Sequence, residues 1–171
     1  MNYFTLFSMP EQFDISIDVL KQRYELLQRV THPDKYASAS EQEKRIYMQK
    51  NAQVNDGYHV LSSPVLRGEH LLLIREIPLA NEQDTIGDTE FLMQQMDLRE
   101  ELAHANTIDG LNALESSVTE SQAKYIECIS QLLHENTKEQ SLRAGIELSK
   151  LKFLIKLASE IKTRKHTIKK S

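Results

Sequence analysis

The sequence of 171 residues has few of the amino acids that make tight turns. It contains five glycines, four prolines and no tryptophan. Folds with many short strands need frequent turns, so this scarcity argues against a sandwich or a barrel and favours helices. The chain is otherwise of globular composition, with 40% hydrophobic and 27% charged residues.

Cysteine and long apolar runs are also scarce. The single cysteine, Cys128, excludes an internal disulfide and any site within one chain that is built from cysteines alone. No run of about 18 apolar residues is present, so a membrane-spanning helix is not expected. The first residues lack a basic segment followed by a long apolar stretch, which argues against a secretory signal. A cytoplasmic protein with no bound metal or cofactor is therefore expected.

Charge is unevenly distributed along the chain, although the net charge is only −4. Residues 1–75 carry equal numbers of basic and acidic side chains, residues 76–120 have a net charge of −10, and residues 121–171 have +6. Such asymmetry indicates either pairing within the molecule or a charged partner. Aromatic residues are not interleaved with the basic ones, so nucleic-acid binding is not expected.

Helix start and stop signals predict an all-α protein with two units. Candidate N-caps are Ser16, Ser40, Ser63, Asp88 and Thr137. Residues 77–87 contain turn formers without periodicity and are interpreted as a linker between units 1–76 and 88–171. We predict an N-terminal helical hairpin followed by a three-helix bundle, with helices at about 88–105, 111–135 and 137–165 and a frayed basic tail.

The most distinctive local feature is the segment His32-Pro33-Asp34-Lys35 between the first two long predicted helices. Pro33 fixes its own φ and drives His32 out of the helical region, so the loop is stiff and can hold the carboxylate of Asp34 in a defined position. An exposed turn without a function is the plain alternative. An enzyme or metal site using His32, Asp34 and His59 is a further one, but no known ligand spacing supports it.

The surroundings of this loop carry a resemblance. A short apolar N-terminal segment, a helix that ends in HPDK, and a second helix with Asn55, Tyr58 and Leu61 resemble a J-domain, the module with which co-chaperones stimulate ATP hydrolysis by DnaK-type chaperones. The resemblance implies that the chaperone-binding residues are His32, Pro33, Asp34 and Lys35, with basic contacts from Lys21, Arg23 and Arg29. The sequence has no phosphate-binding loop of its own, so the chain is not expected to be an enzyme.

Five stretches in order along the chain make the resemblance more specific. They are YFTLF, HPDK, N-D-G-Y-x-V-L-x-x-P-x-x-R, D-T-x-F-L-M-x-Q-x-x-L-R-E-E-L and K-L-x-F-L. Together they resemble the HscB family, the J-type co-chaperones of iron–sulfur cluster biogenesis. The resemblance implies two partners: a specialised DnaK-type chaperone (HscA) and the scaffold protein on which clusters are assembled (IscU). A J-domain co-chaperone for an unrelated client is the alternative.

The segment that opens the predicted bundle has two apolar arcs. Phe91 and Leu98 lie on one arc, which suits a core, whereas Leu92, Met93 and Met96 lie on another. The second arc either packs on another element or forms an exposed protein-binding strip, for which methionine is well suited.

The HscB resemblance implies that the scaffold protein binds this second arc. Carried over by motif, the contacts are Leu92, Met93, Met96, Asp97, Glu100, His104 and Phe153. His104 stands where the resemblance leads us to expect an acidic residue.

Overall fold

The computed structural model describes residues 1–85 and 87–170, apart from the side chain of Glu82. The described residues form seven α-helices and no strand, which confirms the all-α prediction. The helices are α1 (Tyr3–Leu6), α2 (Ile17–Thr31), α3 (Glu41–Ser62), α4 (Pro64–Ile74), α5 (Thr89–His104), α6 (Ile108–His134) and α7 (Lys138–Lys170). The chain divides into two compact units, Met1–Arg75 and Glu76–Ser171, of which the first contains α1–α4 and the second α5–α7.

The helices begin where the cap residues predict. The side chains of Ser16, Ser40, Ser63, Asp88 and Thr137 each accept a hydrogen bond, at 3.0–3.3 Å, from the backbone N–H three residues further on. These bonds satisfy donors that have no partner within the helix itself. The caps therefore fix the start of α2, α3, α4, α5 and α7.

Three local predictions are wrong in detail. The sequence predicts a loop over residues 32–39, but Pro33–Tyr36 within it form one turn of 3₁₀ helix. Thr107 is an N-cap whose hydroxyl accepts from the N–H of Gly110 at 3.0 Å, so α6 begins at Ile108 rather than near 111.

The third difference concerns the basic tail, which continues α7 as far as Lys170. Ile168 packs against the apolar core of the second unit, and the ammonium of Lys165 lies 3.1 Å from the carboxylate of Glu115 on α6. These contacts hold the last turns of α7 in place. The sequence of the tail alone predicts fraying, because it does not show that α6 packs against this part of α7.

The first unit is built around aromatic and aliphatic side chains. Its largest fully buried members are Phe4, Phe7, Leu20, Leu61, Leu71 and Leu72. A buried arginine, Arg67, crosses this core and donates hydrogen bonds to the carbonyls of Phe13 (2.7 Å) and Leu61 (2.8 Å). Its guanidinium also lies 4.8 Å from the centre of the Phe13 ring. Arg67 therefore ties the segment before α2 to the helix pair α3 and α4.

The second unit is a bundle of α5, α6 and α7. One cluster of its apolar core contains Leu98, Leu102, Leu111, Leu114, Val118, Leu154, Leu157 and Ile161. Lys150 of α7 pairs with Asp88, and Lys165 pairs with Glu115, so basic groups of the last segment meet acids of the segment before it. The charge asymmetry of the sequence is thus partly compensated inside this unit. Among the described residues, no helix is both long and apolar enough to cross a bilayer.

Candidate functional site

The loop between α2 and α3 is held by short-range hydrogen bonds. His32 ends α2 in an extended conformation (φ −63°, ψ 132°), as the following proline requires. Its ring Nδ1 accepts from the N–H of Asp34 at 3.2 Å, and its carbonyl accepts from the N–H of Lys35 at 3.1 Å. The carboxylate of Asp34 remains 92% exposed. The backbone of the loop is therefore ordered, while its charged group faces solvent.

This geometry also fixes what His32 offers a partner. The Nδ1 atom is engaged within the loop by the backbone N–H of Asp34, so the opposite edge of the ring faces away from that contact. The side chain is half-exposed, and its Nδ1 lies 3.5 Å from a carboxylate oxygen of Asp34. The loop thus presents an imidazole ring and a carboxylate side by side.

The basic residues near the loop divide into two kinds. Lys21, Arg29 and Lys35 are exposed, as a docking surface needs. Arg23 is half-buried, and its guanidinium donates to the carbonyls of Phe7 and Ser8 in the segment after α1. Arg23 therefore organises its own unit, whereas the other three are available to a partner.

A chain of polar side chains joins α2 to α3 behind the loop, and sequence reasoning missed it. Tyr24 donates to Asn55 (2.7 Å), Asn55 to Asn51 (3.1 Å), and Asn51 to the hydroxyl of Thr31 (3.1 Å). Thr31 in turn donates to the carbonyl of Leu27 (2.8 Å). The available signal was the pair of asparagines four residues apart on α3.

An aromatic contact fixes the other end of the loop, and it was also missed. The rings of Tyr36 and Tyr47 are stacked, with centroids 3.5 Å apart and planes within 8°. The hydroxyl of Tyr36 donates to the carbonyl of Val30 at 2.7 Å. Burial of the phenol, and then the neighbouring Tyr47, raise the pKa of Tyr36 above its usual 10.0, so the hydroxyl remains a donor at neutral pH.

A second candidate surface lies on α5. Met93 and Met96 are 60% and 70% exposed, Asp97 and Glu100 are exposed, and Leu92 is half-buried. For the two methionines, the structure shows an exposed strip rather than packing against another element. An apolar strip flanked by carboxylates is typical of a protein-binding surface.

Phe153 extends this surface onto α7. Its ring is half-buried, meets Phe91 edge-on at a centroid distance of 5.9 Å, and lies 5.3 Å below the guanidinium of Arg99. Arg99 is held there by an ion pair with Glu160 of α7. A shallow hollow is lined by Phe153, Arg99, Gln95 and Met96. The resemblance assigned Phe153 to the same set of contacts as the α5 residues, although it is distant from them in the sequence. In the structure, Phe153 lies beside the exposed strip on α5.

The C-terminal half of α5 carries an acidic patch. A second hollow is lined by Asp97, Glu100, Glu101 and His104. None of these side chains forms an ion pair with another described residue; Nδ1 of His104 lies 3.1 Å from the carbonyl of Glu100. This group of acids, which α7 does not neutralise, is therefore on the exposed side of α5.

A buried lysine fixes the start of α5. The ammonium of Lys150 lies 2.5 Å from the N-cap carboxylate of Asp88 and 3.2 Å from that of Glu147, and 5.6 Å from the Phe91 ring centre. Burial alone would lower the pKa of Lys150, but the hydrogen bonds and charges of the two carboxylates outweigh it and raise the pKa. The bond from Lys150 lowers the pKa of Asp88. Sequence reasoning missed this pair because a lysine in an apolar stretch gives no sign of its partner.

The described residues contain no group of three or more His, Cys, Asp or Glu side chains arranged to hold a metal ion. His59 is exposed on α3, whereas the ring of His32 bonds within its own loop. The chemistry that the geometry offers is protein recognition, through the loop on the first unit and the α5 surface on the second.

Comparisons with known proteins identify the family of the chain. Residues 87–162 match the family model described as HSCB C-terminal oligomerisation domain. The chain is 44% identical over 172 residues to a co-chaperone protein HscB homolog of Pseudoalteromonas atlantica, a match that covers 98% of each chain. It is 43% identical over 165 residues to one of Shewanella baltica, covering 94% of this chain and 95% of the relative.

Solved structures give the same result. The chaperone HscB from Vibrio cholerae matches with a TM-score of 0.85 and 34% identity, over 98% of this chain and 99% of that one. The human co-chaperone protein HscB matches with a TM-score of 0.89 and 28% identity, over 96% of this chain and 82% of that one. With two such surfaces on an all-α framework and relatives of this similarity over almost its full length, the chain belongs to the HscB family of co-chaperones.

Proposed function

We propose that this protein is a two-ended adaptor of iron–sulfur cluster biogenesis in the cytoplasm. Its first unit stimulates the ATPase of a specialised DnaK-type chaperone (HscA), and its second unit delivers the cluster scaffold protein (IscU) to that chaperone. The chain itself catalyses no reaction and holds no cofactor in this scheme. The observation that carries the proposal is the presence of one exposed recognition surface on each compact unit.

The loop supplies the chaperone-facing end. Pro33 and the hydrogen bonds of His32 order the backbone, so the carboxylate of Asp34 and the ring of His32 are presented with little conformational entropy left to lose. Lys21, Arg29 and Lys35 add positive charge for an acidic surface on the chaperone. Exposed charges of this kind act mainly on the association rate and its salt dependence.

The α5 surface supplies the scaffold-facing end. Met93 and Met96 offer flexible apolar contact, and Phe153 and Arg99 close one side of the hollow next to them. Because both ends belong to one chain, a bound scaffold protein is held at a high effective concentration near the chaperone. Binding and ATPase stimulation are then coupled without any catalytic group on this protein.

The chaperone-facing end is tested by the change Asp34→Asn, which removes the charge and keeps the shape. We expect stimulation of the chaperone ATPase in a single-turnover assay to disappear, while binding of the scaffold protein is unchanged. Asp56→Asn, an exposed acid on α3, is the matched control and should stimulate like the wild type. Full stimulation by the Asp34 variant would contradict the assigned role of the loop.

The scaffold-facing end is tested by combining Leu92→Ala with Met96→Ala. We expect weaker scaffold binding in calorimetry with an almost unchanged melting temperature, because Met96 is 70% exposed and Leu92 only half-buried. Ile155→Ala, at an exposed apolar position of α7, serves as the matched control. A large fall in melting temperature would instead identify these side chains as core.

The alternative of an unrelated client is decided by capture from cell lysate. The immobilised wild-type chain should retain the iron–sulfur scaffold protein, and the Leu92/Met96 double variant should not. Absence of the scaffold protein from the wild-type sample would reject the iron–sulfur proposal and leave a J-type co-chaperone for another client.

A further inference from the structure

We infer that two contacts made by α3, Asn51 with Thr31 and Tyr47 with Tyr36, position the Asp34 loop in its binding-competent form before the chaperone arrives. The inference rests on the proposed function of the loop and deepens it. It makes Thr31, Tyr36, Tyr47 and Asn51 positioning residues, since none of them is argued to touch the partner.

The upstream contact fixes the residue directly before His32. Thr31 is buried, and its hydroxyl is held between the carbonyl of Leu27 (2.8 Å) and the amide of Asn51 (3.1 Å). Asn51 is itself oriented by Asn55, whose carbonyl oxygen accepts from the hydroxyl of Tyr24. Each of these side chains is held by the next one, so the last turn of α2 has one preferred position on α3.

The downstream contact fixes the last residue of the 3₁₀ turn. Tyr36 stacks on Tyr47 at 3.5 Å, and its hydroxyl donates to the carbonyl of Val30 in the last turn of α2. One side chain therefore ties the exit of the loop both to α3 and back to the end of α2. Lys50, one turn after Tyr47, has its ammonium 5.5 Å from the ring centre of Tyr47.

Between these anchors, the loop residues themselves make few contacts. His32, Pro33, Asp34 and Lys35 are exposed, and the hydrogen bonds described above for His32 stay within the loop. Such a segment, if loosened, samples conformations that do not fit the partner. The apparent affinity for the chaperone is then multiplied by the fraction of molecules whose loop is in the binding-competent form. The complex, once formed, is unchanged.

The test uses two pairs of matched variants in the full chain. Tyr47→Ala removes the stacked ring and Tyr47→Phe keeps it, whereas Thr31→Val removes the hydroxyl and Thr31→Ser keeps it. The first readout is hydrogen exchange of the Asp34 and Lys35 amides in the protein alone, measured by NMR. We expect faster exchange in Tyr47→Ala and Thr31→Val, and rescue by Tyr47→Phe and Thr31→Ser.

The second readout is stimulation of the chaperone ATPase across a range of co-chaperone concentrations. In Tyr47→Ala the half-maximal concentration should rise about two- to tenfold, while the maximal rate is retained. This is the change in the population of binding-competent loop that follows from the loss of one aromatic pair. Asp34→Asn should instead lose the maximal rate. Met48→Ala, an exposed neighbour of Tyr47, should behave like the wild type in both readouts.

The outcomes separate this inference from the proposed function. Wild-type exchange rates at Asp34 and Lys35 in both Tyr47→Ala and Thr31→Val would overturn the positioning role, regardless of the result of the ATPase assay. If the exchange rates change as expected but the wild-type chain fails to stimulate the ATPase, positioning is supported and the proposed function is rejected. If Tyr47→Ala does not fold, the Thr31 pair gives the decision alone.

Discussion

At the scale of single residues, Gly57 shows why a helix can need a glycine. Helix propensity alone counts it as a cost of about 1 kcal/mol relative to alanine. A Cβ at this position would lie 2.7 Å from Cδ1 of Tyr3 and 3.0 Å from Cε2 of Phe7. The Tyr3 ring has little room to retreat, because the ring of His70 lies 4.9 Å from it. Gly57 therefore lets α1 approach α3 closely.

Gly57→Ala should lower the melting temperature of the first unit by a few degrees. The gain in helix propensity is smaller than the cost of overpacking a filled core, which is about 1–3 kcal/mol. Thermal unfolding followed by circular dichroism measures the change, with Gly87→Ala as a control because a Cβ there would meet nothing within 4 Å. A higher melting temperature for the Gly57 variant would show that the rings of Tyr3 and Phe7 can move aside.

His70 gives the first unit a dependence on pH. Its Nε2 accepts from the N–H of Tyr3 at 3.0 Å, which requires the neutral ring, and burial lowers its pKa from the usual 6.5. Above pH 6.5 the ring is neutral in both folded and unfolded chains, so the full stability is present. Below 6.5 the unfolded chain binds the proton more readily, and stability is lost as the pH falls through the folded-state value.

We therefore expect the melting temperature of the first unit to fall between pH 7 and pH 5. His70→Gln should show a weaker dependence over that range, whereas His59→Gln, at an exposed position, should keep the wild-type dependence. Equal slopes for the wild type and the His70 variant would assign the effect to other groups.

These residues also show what could be predicted from the sequence. The N-caps were predictable because donor and acceptor are three residues apart. The contact between Tyr3 and His70 was not, since 67 positions separate them and only the packing of α1 against α4 brings them together. The exposed apolar arc of α5 was predictable in part. Its spacing indicated a second apolar face but did not show whether another element covers that face.

At the scale of elements, α5 is the helix whose placement matters most for the scaffold-facing surface. Its start is held by Lys150, which pairs with Asp88 and lies near the Phe91 ring. Its middle is held by Leu98 in the core and by Arg99 through Glu160. The exposed methionines are therefore carried by a helix that is fixed on its opposite side.

Lys150→Met should loosen the start of α5 while preserving the apolar contacts of the lysine stem. We expect a lower melting temperature of the second unit and weaker scaffold binding, because Asp88 and Glu147 lose their partner. Lys156→Met, an exposed lysine on α7, is the control and should change neither.

The same pair predicts a pH signature. Lys150 lowers the pKa of Asp88 below 3.8, so its contribution is complete above that value and is lost as the pH falls through the folded-state pKa. The difference in stability between the wild type and Lys150→Met should accordingly shrink in strong acid. A difference that stays constant down to about pH 2 would mean that the lysine acts only through packing.

At the scale of the whole molecule, the proposal depends on both surfaces belonging to one chain. Mixing full-length Asp34→Asn with the Leu92/Met96 double variant supplies each surface intact, but on separate molecules. We expect such a mixture to show no stimulation by the scaffold protein beyond the sum of its parts, since the effective concentration from tethering is lost. Synergy equal to that of the wild type in steady-state ATPase assays would show that the link between units is dispensable.

The net charge of −4 illustrates how far a sequence summary reaches at this scale. The −10 and +6 segments were visible by counting, and their proximity in one bundle was a reasonable inference. Which charges would pair was not, because Lys150 and Lys165 reach acids 62 and 50 positions away. The unpaired acids of α5 that share one hollow, Asp97, Glu100 and Glu101, could be located only after α5 and α7 had been placed.

The way α5 joins its bundle has a consequence for the bound state. Helices α6 and α7 are joined by three residues and form a hairpin whose contacts are local in the sequence. Such a hairpin is the part of a bundle that resists local unfolding longest. A partner that contacts both Met96 on α5 and Phe153 on α7 binds across the interface between α5 and this hairpin. In the proposed complex, the bound scaffold protein therefore stabilises the attachment of α5 to the hairpin, and its release leaves α5 held by its own contacts alone.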